Sequence, residues 1–135
     1  MASTTTLKVP RGLKARIGRL AEPTTYGGLR EQTAAILGCT GQTALRWTPN
    51  IDDHVRIETV AVCGGAGAEL AEAARAAGAD AYVTSDVRHH EFVEFTERRF
   101  PVIDAGHETT EAPGMKALAE RLAGDFPDLA VDWLG

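Results

Sequence analysis

Cysteine is scarce in this sequence: Cys39 and Cys63 are the only two in 135 residues. Their number and separation exclude a disulfide scaffold and a CxxC metal knuckle, and leave both as small apolar side chains suited to a core. No apolar run approaches the roughly 18–20 residues that span a bilayer, and the N-terminus lacks the apolar block of a secretory signal. The chain is therefore expected to be soluble and cytoplasmic, with no membrane partner. An excess of positive charge is also missing. With 14 Lys and Arg against 19 Asp and Glu, the formal charge is -5, which argues against a general nucleic-acid binder, since such proteins displace counterions from phosphates with a basic face. There is no Gly-x-Ser-x-Gly elbow, and neither cysteine has a histidine close by in sequence, so covalent catalysis is not indicated. Internal repeats and low-complexity tracts are absent as well.

What is present is the composition of a globular domain, 44% hydrophobic and 24% charged, at a length that suits one domain of roughly 100–150 residues. Lys8, Arg11, Lys14, Arg16 and Arg19 precede the first acidic residue, Glu22. This basic stretch has the flavour of a transit peptide, but a solvated, flexible leader over 1–14 is the plainer reading. An outer strand and helix segment is expected over 15–55. Within it, Gly28 to Leu37 reads as a helix with Leu29, Thr33, Ile36 and Leu37 inward, Thr43 to Trp47 as an added strand closed by Pro49, and Asn50 to His54 as a polar turn with His54 exposed. A βαβαβα core is expected over 56–124, and a terminal strand or tail over 125–135.

The core is the most regular part. Ile57 to Cys63 is a β-branched apolar run that stops at Gly64-Gly65, as a buried strand would. Ala66 to Ala77 reads as a helix with Leu70, Ala73, Ala74 and Ala77 on one face and Gly78 as its stop. Ala79 to Thr84 makes the next strand, about Arg88 to Arg99 a helix carrying Phe92, Val93 and Phe95, and Pro101 to Asp104 a third strand. A helix from Thr109 or Thr110 to about Ala123 and a short strand at Leu129 to Val131 complete the pattern. Strands alternating with short helices imply βαβ units, so the expected fold is a layered α/β domain with a largely parallel sheet.

In such sheets ligands gather beyond the carboxyl ends of the strands. Here that edge comprises Gly64 to Gly67, Ser85 to His90 and Asp104 to Glu111. It holds three of the four histidines, His89, His90 and His107, together with Asp86, Asp104 and Glu111. His107 and Glu111 are four apart at a helix start, which puts them on one face within reach of one ion or of adjacent ions. Imidazole with carboxylate suits zinc, and is tolerated by manganese or iron. The alternative is a plain capped helix start in which a threonine caps and Glu111 meets the dipole. His89 and His90 point about 100° apart on a helix, so they are poorly placed to share an ion; either both face solvent, or Asp86 and one histidine hold substrate or orient a metal-bound water. Gly64-Gly65-Ala66-Gly67 fits a phosphate-binding template poorly, because Leu70 stands where the third glycine belongs. A tight turn packing helix on strand is the favoured reading.

Three ordered motifs carry a family resemblance. They are Val60-Ala61-Val62-Cys63-Gly64-Gly65-Ala66-Gly67; Ala77-Gly78-Ala79-Asp80-Ala81-Tyr82-Val83-Thr84-Ser85-Asp86 followed by His89-His90; and Ile103-Asp104-Ala105-Gly106-His107-Glu108-Thr109-Thr110-Glu111. The sequence resembles the C-terminal half of the Nif-three-like dinuclear metal-centre family, some of whose members are named GTP cyclohydrolase I type two homologues. Gly18 to Pro23 is similar to a further family strand, so the resemblance covers roughly residues 12–123. It implies an α/β fold of two related halves around a pair of divalent ions (zinc, iron or manganese), with ring oligomers that include hexamers. It implies metal ligation by His107 and Glu111, and places Asp86 and His90 near the same cleft, as candidate catalytic groups rather than ligands. Full-length relatives carry an N-terminal half with a paired-histidine motif and an aspartate for the same centre, and this sequence has none; Asp52-Asp53-His54 lies in the wrong place to substitute. The resemblance thus implies metal-assisted hydrolysis of an unidentified small molecule in a complete protein. Partners would be further copies of the chain or the missing half, and the chain alone should be close to inactive. A non-catalytic metal-binding or assembly module is the alternative.

Overall fold

The computed structural model describes residues 4–6, 15–37 and 45–106. In chain order the elements are β1 (Thr4–Thr6), β2 (Ala15–Thr25), α1 (Tyr26–Leu37), β3 (Arg46–Trp47), β4 (Arg56–Ala66), a 3₁₀ turn (Ala68–Leu70), α2 (Ala71–Ala76), β5 (Ala81–Ser85), α3 (His89–Arg98) and β6 (Val102–Asp104). The strands form one six-stranded sheet in the order β1-β2-β4-β5-β6-β3. β4, β5 and β6 are parallel neighbours, while β1 on β2, β2 on β4 and β3 on β6 pair antiparallel. The fold is α/β, with a mixed sheet whose parallel centre is the βαβαβ unit expected from the sequence. Thr4–Thr6 departs from the expected leader, because it pairs with Arg16 to Gly18 of β2. The helix expected over 109–123, the strand at 129–131 and Cys39 lie outside the described residues.

The central strands read as unbroken apolar runs because both of their faces are covered. On one side Ala61, Cys63, Tyr82 and Val102 pack with Leu70, Ala71, Ala74, Phe95 and Phe100 of the α2 and α3 layer. On the other, Val60, Val62, Ala81, Val83 and Ile103 pack with Tyr26 and Leu29 of α1. Side chains alternate across the sheet, so each strand feeds both cores. Between Arg19 and Thr24 the β2–β4 register shifts. Pro23 lies in this stretch and has no N–H for a ladder, the usual setting for a bulge.

Helix ends follow from local chemistry joined to distant contacts. α1 starts at Tyr26 rather than Gly28, because its first N–H groups find acceptors outside the helix. Tyr26 donates to the Val55 carbonyl and Gly27 to the Asp53 carbonyl, both at 2.9 Å, while the Thr25 hydroxyl accepts the Gly28 N–H at 3.1 Å. α2 ends in a Schellman turn: the Ala79 N–H reaches the Ala74 carbonyl and the Gly78 N–H the Arg75 carbonyl, both at 3.0 Å, with Gly78 at φ 97°. The 3₁₀ start and this stop rotate the buried stripe to Ala68, Leu70, Ala71 and Ala74. Ala77, expected inward, is exposed. α3 ends the same way with a non-glycine: Arg99 sits at φ 53°, and the Phe100 N–H returns to the Phe95 carbonyl at 2.9 Å. The two rings meet edge to face, 6.5 Å between centroids, which is the apolar contact that accompanies such turns.

β3 is short, and side chains hold it in place. The Thr48 hydroxyl donates to the Phe100 carbonyl at 2.8 Å and accepts the Val102 N–H at 3.0 Å, and the Tyr26 hydroxyl donates to the Thr48 carbonyl at 2.9 Å. The Arg30 guanidinium lies over both the Tyr26 and Trp47 rings, 4.7 and 4.4 Å from their centroids, and pairs with Asp53. These contacts tie α1 and the 52–54 turn to the sheet edge.

Candidate functional site at the carboxyl edge

β4, β5 and β6 run parallel, so their carboxyl ends open on one edge, as the sequence reading requires. A depression of about 330 Å³ at the ends of β4 and β5 is lined by Ala66, Ala68, Glu69, Asp86, Arg88 and Glu91. Asp86 is exposed and has φ 55°, a left-handed backbone. His89 and His90 are the first two residues of α3 and are both exposed; neither lines the depression. The Arg88 N–H at the cap position donates to Glu91 Oε1 at 2.8 Å, the half of a capping box that an arginine cap permits. His54 is exposed, with its Nδ1 3.0 Å from Asp52 Oδ1.

The glycine loop is used for packing. The Gly67 N–H donates to Thr84 Oγ1 at 3.1 Å, and the Gly67 carbonyl accepts from the Tyr82 hydroxyl at 2.6 Å. A Cβ at Gly67 would lie 2.6 Å from Cys63 Sγ and 2.8 Å from both Thr84 Oγ1 and the Tyr82 hydroxyl. Only glycine lets the strand-to-helix turn come this close to β5. Burial, with Cys63 beside it, raises the Tyr82 phenol above its ordinary value, so this hydroxyl stays a donor.

Asp104 differs most from a free rim carboxylate. It is buried, at 3% exposure. Its Oδ2 accepts the Val87 N–H at 3.0 Å and pairs with Arg46, while its Oδ1 accepts the Gly106 N–H at 2.9 Å. Arg46 completes the arrangement by donating to the Val87 carbonyl at 2.9 Å. The sequence reading placed Asp104 on the rim but missed Arg46, because nothing in a lone arginine announces a partner 58 positions away. Ser85 Oγ, at the end of β5, is buried without a hydrogen-bond partner among the described residues.

His107 and Glu111 lie outside the described residues. Among the described residues, no group of three or more His, Cys, Asp and Glu side chains is placed to hold an ion.

The profile of the family described as Duf34/NIF3 (NGG1p interacting factor 3) matches residues 4–134. The chain belongs to the Duf34/NIF3 family. Curated relatives in this family include the GTP cyclohydrolase 1 type 2 homolog of Nostoc sp., 37% identical over 105 residues, which are 78% of this chain and 40% of that protein. The protein of the same name in Streptomyces coelicolor is 37% identical over 113 residues, 83% of this chain and 38% of its own length. Among solved structures, the Bacillus cereus protein related to NIF3 superposes with a TM-score of 0.66 at 28% identity, covering 86% of this chain and 30% of that one. A protein from Thermus thermophilus gives a TM-score of 0.55 at 29% identity, covering 90% of this chain and 46% of its own. The chain thus spans about two fifths of the length of the curated NIF3 relatives it matches. Among the described residues, no helix is long and apolar enough to cross a membrane.

Proposed function

We propose that this chain contributes one part of a dinuclear metal centre of the NIF3 type, with His107 and Glu111 as its ligands, and that the complete protein performs metal-assisted hydrolysis. The observation that carries this reading is the convergence at one sheet edge. A single buried carboxylate, Asp104, holds both the loop that bears Asp86 and Gly106, the residue before the His107 to Glu111 motif. Imidazole and carboxylate donors fit zinc, iron or manganese. Two donors do not complete a catalytic site, so the others come from further copies of the chain in a ring oligomer, up to a hexamer, or from the N-terminal half of the family fold.

When bound, the two ions would polarise the reacting centre of a small-molecule substrate and acidify the attacking water. The chain's own residues would then act around them. The exposed Asp86 carboxylate would accept a proton at the mouth of the depression, with His90 on the first turn of α3 as the second candidate. Arg88 gives the same depression a positive group to orient an anionic substrate. The reading places the protein in the cytoplasm, where a buried thiol such as that of Cys63 stays reduced.

Elemental analysis across a sizing column tests this, comparing the native chain with His107→Ala/Glu111→Ala. Metal that co-elutes with the native oligomer and is lost in the double variant is expected. Metal content unaffected by the two substitutions would sink the ligand assignment. A metal-free chain that still assembles would favour a non-catalytic assembly module.

A further inference from the structure

Asp86 adopts a left-handed backbone, φ 55°, that residues with a Cβ disfavour, although aspartate tolerates it better than most. Such a conformation persists where its surroundings over-determine it. The surroundings here centre on the next residue. The Val87 N–H goes to Asp104 Oδ2 at 3.0 Å and the Val87 carbonyl accepts from Arg46 Nη2 at 2.9 Å, while Arg46 and Asp104 pair with each other. Both polar backbone groups of Val87 are therefore held by one ion pair, and the Val87 side chain is itself buried, at 2% exposure. Arg46 and Asp104 face each other in the β3–β6 register, and the Arg46 guanidinium also lies 5.5 Å from the centroid of the Phe92 ring of α3.

We propose that Arg46 and Asp104 form a positioning pair that holds Asp86 in its left-handed conformation at the mouth of the depression. The inference rests on the carboxyl edge being the working edge, as proposed above. It gives the two-residue strand β3 a role beyond closing the sheet, because β3 carries the arginine that completes the clamp. The pair acts through the backbone of Val87, so neither member needs to touch substrate.

The test is NMR on the labelled 135-residue chain, comparing native protein with Arg46→Met and Asp104→Asn. A positive φ gives Asp86 a strong intraresidue contact between its amide and α protons and a characteristic three-bond coupling. Both variants are expected to lose or average this signature. Exchange of the Val87 amide should rise at least about tenfold, while the β4–β5 amides stay protected. Phe100→Leu, which weakens packing at the end of α3, is expected to leave the Asp86 signature intact, and so separates positioning from loss of stability in general. An Asp86 signature unchanged in both clamp variants, or lost equally in Phe100→Leu, would overturn the proposal. The metal reading fails on a different result, metal content indifferent to His107→Ala/Glu111→Ala, and the NMR comparison decides the clamp in either case.

Discussion

The Asp104 carboxylate accepts the Val87 amide at 3.0 Å across 17 residues of sequence, joining the end of β6 to the loop that follows β5. Because the same carboxylate accepts the Gly106 amide and pairs with Arg46, its replacement should cost more than that of an exposed acid. Asp104→Ala leaves the buried Val87 N–H and the half-buried Gly106 N–H without their acceptor and is expected to lower stability by about 2–4 kcal/mol. Asp104→Asn keeps an acceptor oxygen and should lose less. Urea unfolding of the two variants checks the order, and an equal loss in both would mean that accepting the Val87 and Gly106 amides is not what Asp104 contributes.

Gly67→Ala would push a methyl group into Cys63, Thr84 and Tyr82 at once, with contacts of 2.6–2.8 Å. A destabilisation of about 3 kcal/mol is expected, at the upper end for overpacking. A shift of the urea midpoint with an unchanged slope would report it; an unshifted midpoint would mean that the turn is not packed as described.

Arg99 occupies the left-handed position that closes α3, where a side chain is disfavoured. Arg99→Gly relieves that cost while keeping the 2.9 Å bond from Phe100 to Phe95, so a gain of about 1 kcal/mol is expected. Thermal melts decide the matter, and a variant less stable than the native chain would show that the arginine side chain contributes more than its backbone costs.

Burial raises the phenols of Tyr26 and Tyr82 above their ordinary value. For a raised pKa the stability is complete below the unfolded value of about 10 and is lost as pH rises, since there only the unfolded chain ionises. Unfolding free energy should therefore be level up to about pH 10 and then fall, by up to about 1.4 kcal/mol per pH unit for each tyrosine. Tyr82→Phe should make the alkaline slope shallower. At neutral pH it should cost about 1 kcal/mol, through loss of the bond to the Gly67 carbonyl. An alkaline slope identical in the two proteins would contradict the burial of this hydroxyl.

The alternation of strands and helices from Arg56 to Asp104 was legible in the sequence because it rests on local signals. These are continuous apolar runs for strands covered on both faces, and Gly78 where a helix must stop. The family was legible too, because its three motifs have a fixed order and spacing. The start of α1 was misplaced by two residues, since its first N–H groups are satisfied by Val55 and Asp53 rather than by neighbours. Ala77 was turned the wrong way, because a 3₁₀ turn shifted the face that a regular helix would bury.

By itself, then, the sequence determined the alternation of strands and helices from Arg56 to Asp104, the edge on which the ends of those strands open, and which family the pattern resembles. All of these depend on periodicity and spacing along the chain. The tertiary structure alone decided that β3 pairs with β6, that Asp104 is a buried anchor rather than a free acid, and that Arg46 belongs to the rim. Those outcomes depend on hydrogen bonds between residues 17 to 58 positions apart, which no local pattern encodes.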